Sequence, residues 1–384
     1  MTAHPFELHI DDAELAELTA RLATARLPPE LVDDWSAGTS PAFLRQLVAH
    51  WQRGYDWRAR EAELNGMGQF IAELRGGVVH YIHQRGNGPS PLPIVLTHGY
   101  PDSFLRFRKL IPLLVDPPDP EDAFDVVVPS LPGYAFSSEP SRHGTIFHVA
   151  DLWHDLMTEL GYTRYAAHGG DWGSTVTEHL ARSHAIAVVG IHLTDVPFWH
   201  AFQKPHDASP DERAYLANIE SWQQAEGAYA MIQGTRPRTL GDALDDSPAG
   251  LAAWLVEKLQ RWSDCDGDVE RAFTKDELID QVMIYWLSRT GASSLLPYYD
   301  LVHASMGRWI LEKVKDLLSR VKVPAAFALF PRDLSHPPRA WAERFFHVER
   351  WSPMPRGGHF AAHEEPQLVA EDLREFFRPL RTFS

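Results

Sequence analysis

The sequence predicts an α/β protein, with a mostly parallel central sheet covered by helices, an inserted helical lid and a helical segment leading into the core. Three observations carry that expectation. Short apolar stretches alternate with amphipathic helical stretches from about residue 76 to 196, as a parallel sheet buried on both faces requires. The rhythm is lost over 197–318, where the chain is helical and rich in aromatic residues (Trp199, Trp222, Tyr229, Trp254, Trp262, Tyr285, Tyr298). It then resumes over 319–384. The expected division is therefore 1–75, 76–196, 197–318 and 319–384.

In chain order, Asp11-Asp12-Ala13-Glu14 opens the first helix with acidic residues against the positive end of its dipole. Leu15, Leu18 and Leu22 share one face, and Pro28-Pro29 stops the helix. A second helical stretch carries Phe43, Leu44, Leu47, Val48 and Trp51, and its aromatic remainder is expected to pack on core and lid. Phe70–Leu74 and Val78–His83 read as a hairpin turning at Gly76-Gly77. The elements that follow are a strand at Ile94–Leu96, a helix around Phe104 to Leu114, a strand at Val126–Val128 and a helix from Val149 to Leu160. Next come a strand at Tyr165–Ala167, a helix from Ser174 and a strand at Ile186–Ile191. After the lid, Pro324–Phe330 and His347–Trp351 read as strands, and Leu368, Val369, Leu373 and Phe376 mark a terminal helix.

Composition limits the function classes. The chain of 384 residues has 36 Lys+Arg against 52 Asp+Glu, a net charge of −16, which argues against phosphate backbones or anionic membranes as general partners. The single cysteine, Cys265, forms neither an internal disulfide nor a cysteine-based metal cluster, and suits a reducing compartment. The apolar runs Ala185–Ile191 and Pro324–Phe330 are too short to span a bilayer, and the start lacks a leader pattern. An unprocessed cytoplasmic protein is the expectation.

Chemistry concentrates in three loops. Gly169-Gly170-Asp171-Trp172-Gly173 lies between a strand and a helix and has the pattern of a nucleophile elbow, with small residues two before and two after Asp171. Asp171 stands where esterases carry serine, and the chain holds no G-x-S-x-G. By itself the pentapeptide equally suits a glycine-rich turn in which Asp171 caps the helix. His98-Gly99-Tyr100-Pro101, directly after an earlier strand, shifts the balance, because backbone N–H groups of Tyr100 and Trp172 would together form an oxyanion hole. Gly357-Gly358-His359-Phe360 follows the last strand and offers His359 as a base. Asp333, after the preceding strand, is placed to orient it.

Together these motifs resemble the α/β-hydrolase-fold epoxide hydrolases of the microsomal type, in their soluble bacterial or fungal form, which carry an N-terminal meander. The resemblance spans nearly the whole chain. It includes Tyr55-Asp56-Trp57-Arg58 and Glu61–Asn65 in the meander, the loops at His98 and Asp171, Gln233-Gly234-Thr235-Arg236-Pro237 and Ser247-Pro248 in the lid, and the loops at Asp333 and His359. It implies an enzyme that opens an epoxide to a vicinal diol through an ester on Asp171, cleaved by water that His359 and Asp333 activate. It also implies two lid tyrosines that protonate the epoxide oxygen. Tyr229 matches the first by the motif that follows it, and Tyr298 matches the second better than Tyr299 does.

No cofactor or metal is implied. The expected partners are a small apolar or aromatic epoxide and water, without nucleic acid or membrane insertion, and pairing into a homodimer is left open. A haloalkane or haloacid dehalogenase using the same Asp nucleophile is the alternative; two positioned acids suit an epoxide rather than a halide. The chain departs from the family pattern at Asp102, where glycine is usual, and at His168, where glutamine is common.

Overall fold

The computed structural model describes residues 3–27, 29, 32, 34–139, 146–303 and 320–383. Their strands form a nine-stranded sheet in the order β1-β2-β3-β5-β4-β6-β7-β8-β9. β1 is His4–Pro5, β2 Gln69–Leu74, β3 Gly77–Gln84, β4 Leu92–Thr97 and β5 Phe124–Pro129. β6 is Tyr165–Gly169, β7 Val188–Leu193, β8 Val321–Leu329 and β9 Phe346–Pro353. β1, β2, β3 and β5 pair antiparallel, and from β5 through β4 to β9 every pairing is parallel.

The central parallel strands are mostly apolar because both faces are covered, and every residue of β5, β6 and β7 is buried. The two-residue β1 adds an edge that the sequence pattern did not reveal, with Pro5 on the rim of the sheet, where its missing N–H costs nothing.

Helices cover the sheet and extend it. The leading segment holds α1 (Asp12–Ala23), α2 (Pro41–Arg53) and α3 (Trp57–Asn65). α1 ends at Ala23, and Pro28, expected to stop it, lies outside the described residues. Core helices are α4 (Ile111–Val115), α5 (Val149–Glu159) and α6 (Trp172–Ser183). The lid comprises α7 (Pro210–Glu226), α8 (Ala228–Thr235), α9 (Pro237–Asp246), α10 (Pro248–Trp262), α11 (Lys275–Leu287) and α12 (Leu296–His303). Its expected end near Leu318 falls outside the described residues. α13 (Arg339–Glu343), α14 (Ala361–Glu364) and α15 (Pro366–Phe377) complete the core.

Three local expectations are corrected. The hairpin turns at Arg75-Gly76, both at positive φ (+49° and +82°), while Gly77 already pairs with Leu74 in the ladder. The right-handed twist of the strands selects this mirror-image turn. The helix expected around Phe104 to Leu114 is a 3₁₀ turn at Phe104–Phe107 followed by the short α4. Pro112 lacks the N–H that a continuous helix needs there. Strand β7 starts at Val188, because Ala187 and Val188 still donate their N–H groups to the His184 carbonyl in a turn, leaving Ile186 exposed.

Leading segment, core and lid are tied at one buried carboxylate. Asp280 on α11 accepts from the Tyr55 hydroxyl at 2.8 Å and from the Arg108 guanidinium at 2.8 Å. Burial raises its pKa in spite of these partners, as expected for a charge whose desolvation is incompletely offset. The clasp fixes the lid over the carboxyl ends of the parallel strands, which is where this architecture places ligands. Tyr55→Phe removes one donor from Asp280 without changing shape, and is expected to lower stability by about 1–2 kcal/mol, read from the urea unfolding midpoint.

Candidate active site

The loop after β6 has little freedom. A Cβ on Gly169 would lie 2.2 Å from the Gly173 carbonyl oxygen, and one on Gly173 would lie 2.0 Å from that of Thr97. Only glycine lets the strand, the turn and α6 approach so closely. Between them Asp171 adopts φ +58° and ψ −128°, a conformation an L-residue takes only when its surroundings impose it. The strain lifts its carboxylate out of the turn at the N-terminus of α6, facing the lid.

The loop after β4 approaches from the other side. A Cβ on Gly99 would fall 2.3 Å from Asp171 Oδ1, so this loop too requires glycine. The Tyr100 N–H donates to Asp171 Oδ1 at 2.8 Å, and the Trp172 N–H supplies a second backbone hydrogen bond. These amides mark the place where an oxyanion on the Asp171 carboxyl would be held. Asp102 braces the loop: its carboxylate accepts from the Gly99 N–H at 3.2 Å and pairs with the Arg106 guanidinium. Lid residues hold the same loop, with Trp254 Nε1 donating to the Tyr100 hydroxyl at 2.7 Å and the Tyr285 hydroxyl to the Asp102 carbonyl at 2.8 Å. His168 has no part in the cavity. It lies within β6, its Nδ1 at 3.0 Å from His192 Nδ1 on β7, and His192 in turn meets Asp372 at 2.9 Å.

The loops after β8 and β9 bring the remaining groups. Asp333 Oδ1 lies 2.7 Å from His359 Nδ1, and His359 Nε2 lies 3.4 Å from Asp171 Oδ2. One imidazole thus sits between two carboxylates. Burial opposes its charge, yet Asp333 and Asp171 together raise its pKa to about 10. In the opposite direction, burial works against the Asp171 charge, but His359 and the two amides hold its carboxyl below the usual range. At neutral pH the imidazole is therefore charged and the Asp171 carboxyl ionised.

Tyr229 on α8 and Tyr298 on α12 form the roof. Their rings meet edge-on with centroids 5.8 Å apart, and Tyr298 stands edge-on to Trp172 at 4.9 Å. Burial, reinforced by nearby Asp171, raises both hydroxyls above the ordinary phenol range, so both are protonated donors at neutral pH. Tyr299 stacks on His303 instead. All seven residues singled out in the sequence are thus brought together: Asp171, Trp172, Tyr229, Tyr298, Asp333 and His359 line a cavity of about 450 Å³, and Tyr100 supports its floor. Phe198, Trp199, Trp222, Leu301 and Val302 add an apolar wall. A second hollow, of about 300 Å³, is walled by Glu14, Glu17, Arg21, Asp245 and Arg289 and shares none of these groups.

Two carboxyl groups at the site were not legible from motifs. Glu364 accepts from the N–H groups of Asp264 (2.7 Å), Gly358 (3.1 Å) and Phe360 (2.9 Å), so it shapes the His359 loop. Burial raises its pKa to about 7. Asp195, two residues beyond β7, lines the cavity beside the elbow. Its position outside the carboxyl end of a central strand was the available signal.

Fold and site define an α/β hydrolase with a carboxylate at the nucleophile position. Comparison with known proteins agrees: residues 93–229 match the alpha/beta hydrolase fold profile, and residues 3–107 match the profile described as Epoxide hydrolase N terminus. The chain is 41% identical to a candidate epoxide hydrolase of Stigmatella aurantiaca, over 98% of this chain and 85% of that protein. It is 32% identical to Epoxide hydrolase 1 of Sus scrofa, over 97% of this chain and 88% of that protein. The solved Aspergillus niger epoxide hydrolase superposes with a TM-score of 0.85 at 29% identity, covering 99% of this chain and 97% of that one. The chain belongs to the epoxide hydrolase family.

The electrostatic arrangement has a measurable consequence. Replacing Asp171 by Asn removes one of the two charges that hold the His359 proton. Its imidazole pKa is expected to fall from about 10 by on the order of one unit or more, read by NMR titration of the ring. An unchanged value would mean that Asp171 does not hold that proton.

Proposed function

We propose that this epoxide hydrolase works through a covalent ester on Asp171, with Tyr229 and Tyr298 as proton donors and His359, oriented by Asp333, as the base. The observation that carries the reading is the open Asp171 carboxylate, 3.4 Å from His359 on one side and roofed by two protonated tyrosines. An Asp171 oxygen attacks an epoxide carbon, the ring C–O bond breaks, and the departing oxygen takes a proton from a tyrosine. Esterification cancels the Asp171 charge. The imidazolium then loses one of its two stabilising partners and can return a proton to the tyrosinate, leaving His359 neutral.

Neutral His359 next takes a proton from water, whose oxygen attacks the Asp171 carboxyl carbon. The resulting oxyanion accepts hydrogen bonds from the Tyr100 and Trp172 amides. Collapse breaks the ester, the diol oxygen takes the proton from His359, and the new carboxylic acid protonates His359 again. Epoxide and water have become diol, and the enzyme has returned to its starting charges.

The wall of Phe198, Trp199, Trp222, Leu301 and Val302 supports an apolar epoxide as substrate. The paired tyrosines favour epoxide opening over dehalogenation, since a departing halide needs no proton. A division at residues 76, 197 and 319 suits this reading, with the lid supplying the acids and the core the nucleophile and base. Cytoplasmic location fits the lone, buried Cys265; among the described residues no helix is long and apolar enough to cross a membrane.

The test separates the two half-reactions. His359→Gln, incubated with styrene oxide, is expected to stall as an adduct of one substrate mass on the peptide containing Asp171; an unmodified protein that still forms diol would reject the mechanism. Tyr229→Phe and Tyr298→Phe are each expected to slow formation of that adduct by on the order of 10²-fold in rapid-mixing experiments, while leaving ester hydrolysis much less affected.

A further inference from the structure

The proposed mechanism makes no use of Asp195, although this carboxyl lines the cavity. It touches the nucleophile's backbone. The Asp171 N–H donates to Asp195 Oδ1 at 3.3 Å. Asp195 Oδ2 lies 3.1 Å from Ser174 Oγ, and the same Oγ lies 2.8 Å from the carbonyl oxygen of Asp171. Ser174 is fully buried, and its own N–H also reaches the Asp171 carbonyl oxygen at 3.1 Å, so its hydroxyl lies between that carbonyl and Asp195.

Proton counting decides between the states of Asp195. A hydroxyl has one proton to give. If Asp195 were ionised, Ser174 would face two acceptors and satisfy only one, leaving the other pair lone pair against lone pair. With a proton on Asp195 Oδ2, every contact is a hydrogen bond. Asp195 donates to Ser174, Ser174 donates to the Asp171 carbonyl, and Asp171 donates its N–H to Asp195 Oδ1.

We propose that Asp195 is a positioning residue for the nucleophile: in un-ionised form it closes a ring of hydrogen bonds that grips Asp171 at both its N–H and its C=O. The proposal rests on the function argued above. The ring restrains the one residue of the elbow that is held in a strained conformation (φ +58°). The electrostatic surroundings agree with the proton count. Burial, then Asp333 and Asp171, raise the Asp195 pKa to about 8, against the opposing influence of His359 and Ser174, and Tyr215 faces it from α7. Above that pH the ring opens at Ser174, and a third carboxylate charge beside His359 further stabilises the imidazolium, which must lose its proton before water is activated.

Asparagine imitates the acid form and cannot ionise: its carbonyl accepts from Asp171 and its amide donates to Ser174. The experiment measures steady-state hydrolysis of styrene oxide by native enzyme, Asp195→Ala and Asp195→Asn at pH values spanning 8. Asp195→Ala is expected to lower kcat on the order of tenfold with little change in KM, as for the loss of one to two hydrogen bonds. Asp195→Asn is expected to recover that loss, and to lack the alkaline fall in kcat, with a midpoint near 8, that is expected of the native enzyme.

An Asp195→Asn enzyme as slow as Asp195→Ala at neutral pH would overturn the proposal, as would an alkaline fall that persists in Asp195→Asn. If Asp195→Ala does not fold, the pH profile of Asp195→Asn still decides. A native protein without epoxide turnover would reject the function rather than the ring. The ring is then read by infrared difference spectroscopy of native protein against Asp195→Asn: it requires the carbonyl stretch of an un-ionised carboxyl in the native protein at neutral pH, and its absence sinks the proposal.

Discussion

The site depends on one buried proton, held on His359 between Asp171 and Asp333. Two carboxylates with that little water would repel each other strongly if left alone, and an isolated buried imidazole would be neutral. Placed in a line, each makes the others' charge states tolerable. In the proposed mechanism the arrangement contains its own switch, because esterification of Asp171 withdraws one of the two charges that support the imidazolium. On that proposal a single histidine is acid-like in the resting enzyme and a base in the intermediate.

The backbone is built to hold that line. Gly169, Gly173 and Gly99 are the points where strand, turn and loop come closer than any side chain allows, and the positive φ of Asp171 is the local consequence. Around this rigid centre the supports are polar and buried: Asp102 with Arg106 under the Tyr100 loop, and Glu364 under the His359 loop. The lid contributes in two ways. It carries Tyr229 and Tyr298 over Asp171, and through Trp254 and Tyr285 it holds the loop whose Tyr100 amide meets the Asp171 carboxylate. The Tyr55–Asp280–Arg108 clasp keeps lid, leading segment and core in register.

Much of this was legible because the chemistry lies in loops whose sequences are tightly constrained. Glycines at fixed offsets from Asp171, the His98–Pro101 turn and the Gly-Gly before His359 are each demanded by close backbone approach, and such demands leave a pattern in the sequence. The central parallel strands were equally plain, since burial on both faces makes them mostly apolar. Asp195 and Glu364 left no comparable mark: they act through backbone N–H groups and a serine hydroxyl, partners that any sequence offers. The break between Phe104 and Leu114 and the late start of β7 were hidden for a different reason. Apolar residues there continue past the end of regular structure, as exposed Ile186 shows, so periodicity alone overruns the boundary. Tyr298 and Tyr299 could be told apart only when the helix placed one ring against Trp172 and the other against His303.

The central claim is that the oxygen added to the epoxide comes from Asp171 and not directly from water. A single turnover of styrene oxide by excess native enzyme in water enriched in heavy oxygen, with mass spectrometry of the diol and of the Asp171 peptide, tests it most directly. The account predicts unlabelled diol and one heavy oxygen retained in the Asp171 carboxylate. Label in the first diol with none in Asp171 would contradict it, and would make His359 the activator of a water that attacks the epoxide itself.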